Sequence, residues 1–297
     1  MSILISADST CDLSAKLLAT YHIAVTPLYV VFDGEAKRDG VDCTGADILA
    51  FTEKTGRLCS TAAVSIGDYG DFFAKACEEY ETVIHFTISA EMSSCYQNAC
   101  VAAGEFGGRV MVVDSRSVSA GTGLQVLRAA QDRDAGLGAA EIYENALHRR
   151  EKVSIFFVPE TLDYLAKGGR CSAVAALGAN LLKIRPCIET VDGKMEVGKK
   201  YRGTMGRVLK EMLRDHLQGH DDLRRDMVLI PTNAEEAIVN AVEEELRDFE
   251  SVEVCPLGAT VVCHCGANTL GIVIEYVCSE KARHSTDCDA LFFFCIE

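Results

Sequence analysis

The chain has 297 residues, a formal net charge of −15, and 48% of its residues in the AVILMFWYC group. That length suits two modest domains or one large one, and the acidic balance argues against nucleic acid as the main partner. No apolar run approaches a membrane span, and the MSILISADST start lacks the basic residues and long apolar stretch of a signal peptide, so a cytoplasmic location is expected.

Short apolar runs rich in Val, Ile and Phe predict strands at 3–6, 25–32, 82–86 and 109–113. Helical patterns follow at 14–22, 94–105 and 120–130. Alternating strands and helices imply a parallel sheet, and ligands of such sheets sit beyond the carboxyl ends of the strands. Asp8, Ser9, Thr10, Thr87, Ser89, Ser93, Asp114 and Ser115 are therefore expected along one edge, where each also suits a helix cap.

The texture changes near Glu151. VSIFFVPE (153–160) reads as a strand, TLDYLAKGG (161–169) as a helix stopped by glycines, and 172–182 as a helix of small residues. Asp192-Gly193 marks a hairpin within 185–203. A helix at 204–217, a strand in MVLIPT, a helix at 234–249 and strands at 251–257 and 270–277 complete the pattern. The expectation is an α/β chain in two parts. Residues 1–152 would carry a parallel sheet flanked by helices, and 153–297 an α/β domain with a mixed or antiparallel sheet.

Charge is segregated. From Lys167 to Arg214 there are eleven Lys/Arg against four Asp/Glu, a net +7, which leaves −22 for the rest of a chain that totals −15. Such a segment is either a docking face for something anionic or a solvated face. Fourteen cysteines without a CxxC pair read as reduced thiols filling the core. The CHC cluster at 263–265, with Cys278, Cys288 and Cys295, is the alternative thiolate metal site.

Hydroxyl residues cluster at predicted helix starts: Thr61 and Ser65 before one helix, Ser93 and Ser94 at another. Free N–H groups with hydroxyls beside them form a neutral cradle for a carboxylate or phosphate. His264 is expected to follow an apolar strand, as a structural histidine or facing that cradle. Ser93 or Ser94 with His264 and an Asp would make a nucleophilic triad, the basis of an alternative reading as a serine-dependent acyl ester hydrolase. The sequence contains no GxSxG elbow, no GxGxxG and no Walker A lysine motif, which favours binding over catalysis.

ISADSTCDLS, TAAVSIGDY, ISAEMSSCYQNA, VVDSRSVSAGTGLQV, LDYLAKGGRCSAVAALGANLLKIRP and VCHCGANTLGI, in this order, resemble segments of the DegV family of bacterial fatty-acid-binding proteins, from Ile3 to about Val277. The resemblance implies one long-chain fatty acid in a tunnel between two domains, with no other cofactor. Thr61 and Ser93 would hold its carboxylate, with Ser94 beside Ser93 and His264 and Arg170 nearby. A separate fatty acid kinase would receive the ligand for acyl-phosphate formation. Arg202, with Lys199, Lys200 and Arg207, would belong to the face that docks the kinase or makes a transient membrane contact. Two departures fall at the headgroup. Ser94 replaces the family's glycine, narrowing the approach or adding a donor, and Cys95, a candidate oxidation-sensitive thiol, replaces the following threonine. Ala63 and Val64 make the neighbouring loop less polar.

Overall fold

A computed structural model describes residues 2–32, 34–175 and 184–277. The first half runs β1 (Ile3–Asp8), α1 (Ala15–Thr20), β2 (Ala24–Thr26), β3 (Tyr29–Phe32), β4 (Glu35–Arg38), α2 (Gly45–Thr55), β5 (Ser60–Ala62), α3 (Ile66–Glu79), β6 (Thr82–Thr87), α4 (Cys95–Ala103), β7 (Val110–Asp114), α5 (Ala120–Asp134) and α6 (Ala139–Arg149). The second runs β8 (Val153–Val158), α7 (Asp163–Gly168), α8 (Ser172–Ala175), β9 (Ile184–Val191), β10 (Lys194–Arg202), α9 (Met205–Leu217), β11 (Val228–Thr232), α10 (Glu236–Glu243), β12 (Val252–Pro256), α11 (Ala259–Cys265) and β13 (Leu270–Glu275).

The expected parallel sheet is present, in the order β2-β1-β6-β7. All six residues of β1 are buried, as a central parallel strand covered on both faces requires. The second sheet is mixed, β10-β9-β8-β13-β11-β12, with only β11 and β12 parallel. The predicted hairpin is β9–β10, and its Asp192-Gly193 turn holds positive φ at both residues.

Three expectations are corrected. The strand expected at 25–32 breaks at Pro27, which has no N–H for a ladder. Leu28 N instead donates to Ser9 Oγ (3.1 Å), and the chain leaves the parallel sheet to form a separate antiparallel sheet, β4-β3-β5. The helix expected at 234–249 ends as α10 and continues as a 3₁₀ turn, Glu244–Leu246. Finally, His264 does not follow a strand; it rides on α11. Of the small-residue helix at 172–182, only α8 falls within the described residues.

α5 explains how the two larger sheets meet. Every residue from Ala120 to Ala130 is buried. Gly121 and Gly123 let its backbone approach both sides: a Cβ at 121 would lie 3.2 Å from Ile155 of β8, and one at 123 would lie 2.6 Å from the Cys11 carbonyl. Leu124 and Leu127 share one apolar cluster with Ile5 and Phe86 of the parallel sheet and Leu229 and Val273 of the mixed one. Arg128 adds a polar tie, donating to Glu275 Oε2 (2.7 Å) and to both oxygens of Asp226. Among the described residues no helix is long and apolar enough to cross a membrane.

Candidate functional site

A cavity with about 900 Å³ of empty space, its open mouth included, is lined by strands of the mixed sheet, by β5 and by the segments that follow β1, β6 and β7 of the parallel sheet, within the size range of small-molecule sites, about 300–1,000 Å³. Its apolar wall includes Ile88, Met92, Ile155, Phe157, Met195 and Val261. Gly271, near the start of β13, keeps space here, since a Cβ would press on Phe157 at 3.0 Å and Pro231 at 3.1 Å.

Thr61, Ser93, Ser94, Arg170 and His264 all line this cavity, although they come from β5, the α4 start, the turn after α7, and α11. Thr61 Oγ1 lies 2.9 Å from His264 Nε2. Arg170 donates to the Gly168 carbonyl (2.7 Å), and its Nε lies 3.5 Å from the Met92 carbonyl, one residue before Ser93.

The KGGR stretch has a local logic. Gly168 backs onto the imidazole; a Cβ there would sit 2.4 Å from His264 Nδ1. Gly169 takes φ +68 and ends α7, with its N–H on the Leu165 carbonyl. That turn delivers Arg170 to the cavity. Burial, reinforced by the Arg170 charge, holds the His264 pKa down to about 4, so the ring is neutral near pH 7. Its Nδ1 has no hydrogen-bond partner among the described residues. An unpaired acceptor is less costly than an unpaired N–H donor, so the proton belongs on Nε2, which donates to Thr61 Oγ1. The Thr61 hydroxyl proton is then free for an anion in the cavity.

α11 is positioned by carboxylates. Asp39 accepts from Ala259 N (2.7 Å) and Thr260 N (3.3 Å), and Asp12 accepts from Gly258 N (2.9 Å), meeting the N–H groups that a helix start leaves open. Desolvation pushes the Asp12 carboxyl up to about 8. Ser119, which lines the cavity, donates to Asp12 Oδ2 (2.5 Å) and is held at φ 54, ψ −145, backbone strain that such contacts must sustain.

The cradle differs from the expected one. Ser65 is not in it: its Oγ caps α3, accepting from Asp68 N (3.1 Å) and donating to Asp68 Oδ2 (2.6 Å). Ser94 keeps φ −77, so a side chain is tolerated where the family's glycine stood, and its hydroxyl adds a donor to the wall. Cys95 is fully buried and its thiol is pushed up to about 11, chiefly by desolvation, which makes it an inert core group.

Most of the expected edge residues are structural. Asp8, fully buried, accepts from Tyr69 Oη (2.5 Å) and Ile88 N (3.0 Å). Ser9 binds Asp39, and Asp114 accepts from Ala90 N. Thr87 donates to the Val113 carbonyl, and Ser115 pairs with Thr122. Ser89 Oγ donates to the Gly193 carbonyl (2.7 Å), fastening the β9–β10 turn to the parallel sheet. Thr10 does reach the cavity. So does Thr260, which sequence reasoning missed, and neither hydroxyl has a partner among the described residues.

The hydrolase triad is not assembled among the described residues. His264 Nε2 meets Thr61 rather than Ser93, and no carboxylate orients its Nδ1. Ser, His and Asp do meet at Ser6–His85–Asp8, but all three are fully buried and none lines the cavity. Among the described residues the CHC cluster gathers no further metal ligands. Cys263 and Cys265 are buried, with thiols pushed up by burial, and they belong to no His/Cys/Asp/Glu group of metal-ligating separation. Cys278, Cys288 and Cys295 lie outside the described residues. On the basic face, Lys199 pairs with Asp215 (2.7 Å) and Arg207 with Glu211 (2.9 Å). Lys200 and Arg202 are exposed and carry no ion pair among the described residues.

The family model described as "Uncharacterised protein, DegV family" matches residues 2–277. This chain belongs to the DegV family. A DegV domain-containing protein of Deinococcus radiodurans is 33% identical over 279 residues, covering 93% of this chain and 99% of its own. A Thermotoga maritima protein named a fatty acid-binding protein is 29% identical over 93% of this chain and 98% of its own. The solved structure of a Thermus thermophilus DegV family protein, described for its fatty acid binding, superposes with a TM-score of 0.85 at 28% identity, covering 93% of this chain and all of that one.

Proposed function

We propose that this DegV protein binds one long-chain fatty acid in the cavity and presents its carboxylate to a separate fatty acid kinase for acyl-phosphate formation. The observation that carries the reading is the convergence of Thr61, Ser93, Ser94, His264 and Arg170 on a cavity whose remaining wall is largely apolar. Each buried methylene contributes ~0.8 kcal/mol, so a chain of about sixteen carbons supplies on the order of 12 kcal/mol before ordering costs.

A carboxylate taken from water must be hydrogen-bonded. The Thr61 hydroxyl, relayed from His264 Nε2–H, and the Ser94 hydroxyl meet that need, joined by the Ser93 hydroxyl once it turns to the anion from Cys95 Sγ (3.2 Å), with Arg170 at the exposed side. This hold is deep enough to bind yet uses one exposed cation, which suits a ligand that must be handed on.

The direct test is to denature the purified protein and identify extracted small molecules by mass spectrometry. One fatty acid per chain is expected, together with at least a tenfold loss of affinity in the Thr61→Ala/Ser93→Ala double variant with the fold intact. An empty extract from protein that also fails to bind added fatty acid would overturn the reading. Unchanged affinity in the double variant would overturn the headgroup assignment alone.

A further inference from the structure

We propose that Cys187, Glu189 and His216 form a binding site for a zinc-class divalent cation, on the face of the six-stranded sheet opposite the cavity. This inference is independent of the fatty-acid reading. β9 sets Cys187 and Glu189 two residues apart and hence on one face. Ile188 between them packs with Phe157 and Met195 of the cavity cluster, whereas Cys187 packs with Val208 and Met212 of α9. The last turn of α9 brings His216 over the pair. One ligand atom from each residue lies within 4.8 Å of the other two, and His216 Nε2 is 3.4 Å from Glu189 Oε1.

Three further features fit a cation. His216 Nδ1 lies 2.8 Å from the Met212 carbonyl, so Nδ1 carries a proton and donates it. The ring is also stacked on Phe156 at 3.8 Å. Metal-bound histidines are oriented in this way, with the second nitrogen on a carbonyl. Nε2 and the Glu189 carboxylate therefore face each other at 3.4 Å, a gap that a proton on Nε2 bridges in the empty site and a cation would take over, and the Cys187 sulfur makes a third donor. Space is provided across the sheet: β10 slips register between Val197 and Lys200, and a Cβ at Gly198 would lie 2.1 Å from Glu189 Oε1. Bulges of this kind re-aim side chains beside sites.

A thiolate, an imidazole and a carboxylate are the donor types of zinc rather than of magnesium or calcium. Three protein ligands leave a fourth position for water or an incoming anionic group. The ligand atoms would draw together onto the ion, and Cys187 would release its thiol proton to solvent as the sulfur–metal bond forms. The bound ion would tie β9 to α9, which carries Arg207.

The test uses the full chain after chelator treatment, titrated with Co²⁺ as a spectroscopic substitute. A sulfur-to-cobalt charge-transfer band is expected to saturate at one ion per chain and to be displaced by Zn²⁺. It should be lost in Cys187→Ser and reached only at least about tenfold higher Co²⁺ in Glu189→Gln. No saturating band in the wild-type protein, or an undiminished one in Cys187→Ser, overturns the proposal. Because Cys187 is buried, the partly exposed His216→Gln serves as the second variant, checked for its native circular dichroism. Wild-type affinity there also overturns it.

Discussion

His264 gains its character from neighbours far away in sequence. Thr61 bonds one nitrogen, Gly168 backs onto the other, and burial with the Arg170 charge depresses its pKa to about 4. The unfolded chain therefore binds more protons at this residue between about pH 6.5 and 4, and His264 lowers stability as pH falls through that window. Asp12 has the opposite slope. Its carboxyl is raised to about 8, so it adds stability at low pH that is lost as pH rises from about 4 to 8. The two offset each other below pH 6.5. Replacing His264 by Asn should unmask Asp12: the variant's Tm relative to wild type is expected to rise between pH 7 and 5. The change corresponds to about 1–2 kcal/mol after allowing for the ring's partial exposure. Thermal melts of delipidated protein at the two pH values measure this, and a constant difference would refute the assigned role.

At the scale of elements, α11 shows where sequence patterning falls short. Its ATVVCHC run has strand-like β-branched residues and no helical alternation, because six of its seven residues are buried. What makes it a helix is supplied from outside, by carboxylates at positions 12 and 39. Removing the cap in Asp39→Ala is expected to cost ~2 kcal/mol or more, since two buried N–H groups and Ser9 lose their acceptor. Asp39→Asn, which keeps one acceptor oxygen, should cost less. Denaturant midpoints at fixed slope check the order of the two. The parallel strands, the β9–β10 turn and the glycine stop of α7 were legible because continuous apolar runs, Asp-Gly and Gly-Gly act locally. The break at Pro27 was legible in principle from the missing N–H. Thr61, Ser93, Arg170 and His264, and their meeting, could be named only from family-like segments; residue patterns alone left His264 a histidine after a strand. Thr61 and His264 are 203 positions apart and meet because α11 packs against β5.

For the whole molecule, the significant asymmetry is a basic segment on an acidic body. β10 is the edge of its sheet. Met195 on this strand lines the cavity, while Lys199, Lys200 and Arg202 are exposed. Lysines on an edge strand discourage edge-to-edge association, and the same charges attract an anionic partner surface. The two roles predict different behaviour. If the face only guards the edge, Lys200→Glu with Arg202→Glu should promote self-association and leave ligand transfer unchanged. If it docks the kinase, the double variant should retain its fatty acid while acyl-phosphate formation falls at least about tenfold, mainly through slower association and more steeply at low salt. Lys199 and Arg207, already paired with Asp215 and Glu211, should matter less than Lys200 and Arg202, which have no such pair among the described residues. Measuring fatty acid content, sedimentation and kinase-coupled turnover on the same preparation separates the roles. Loss of turnover with retained ligand and a monodisperse protein supports docking, and full turnover excludes it.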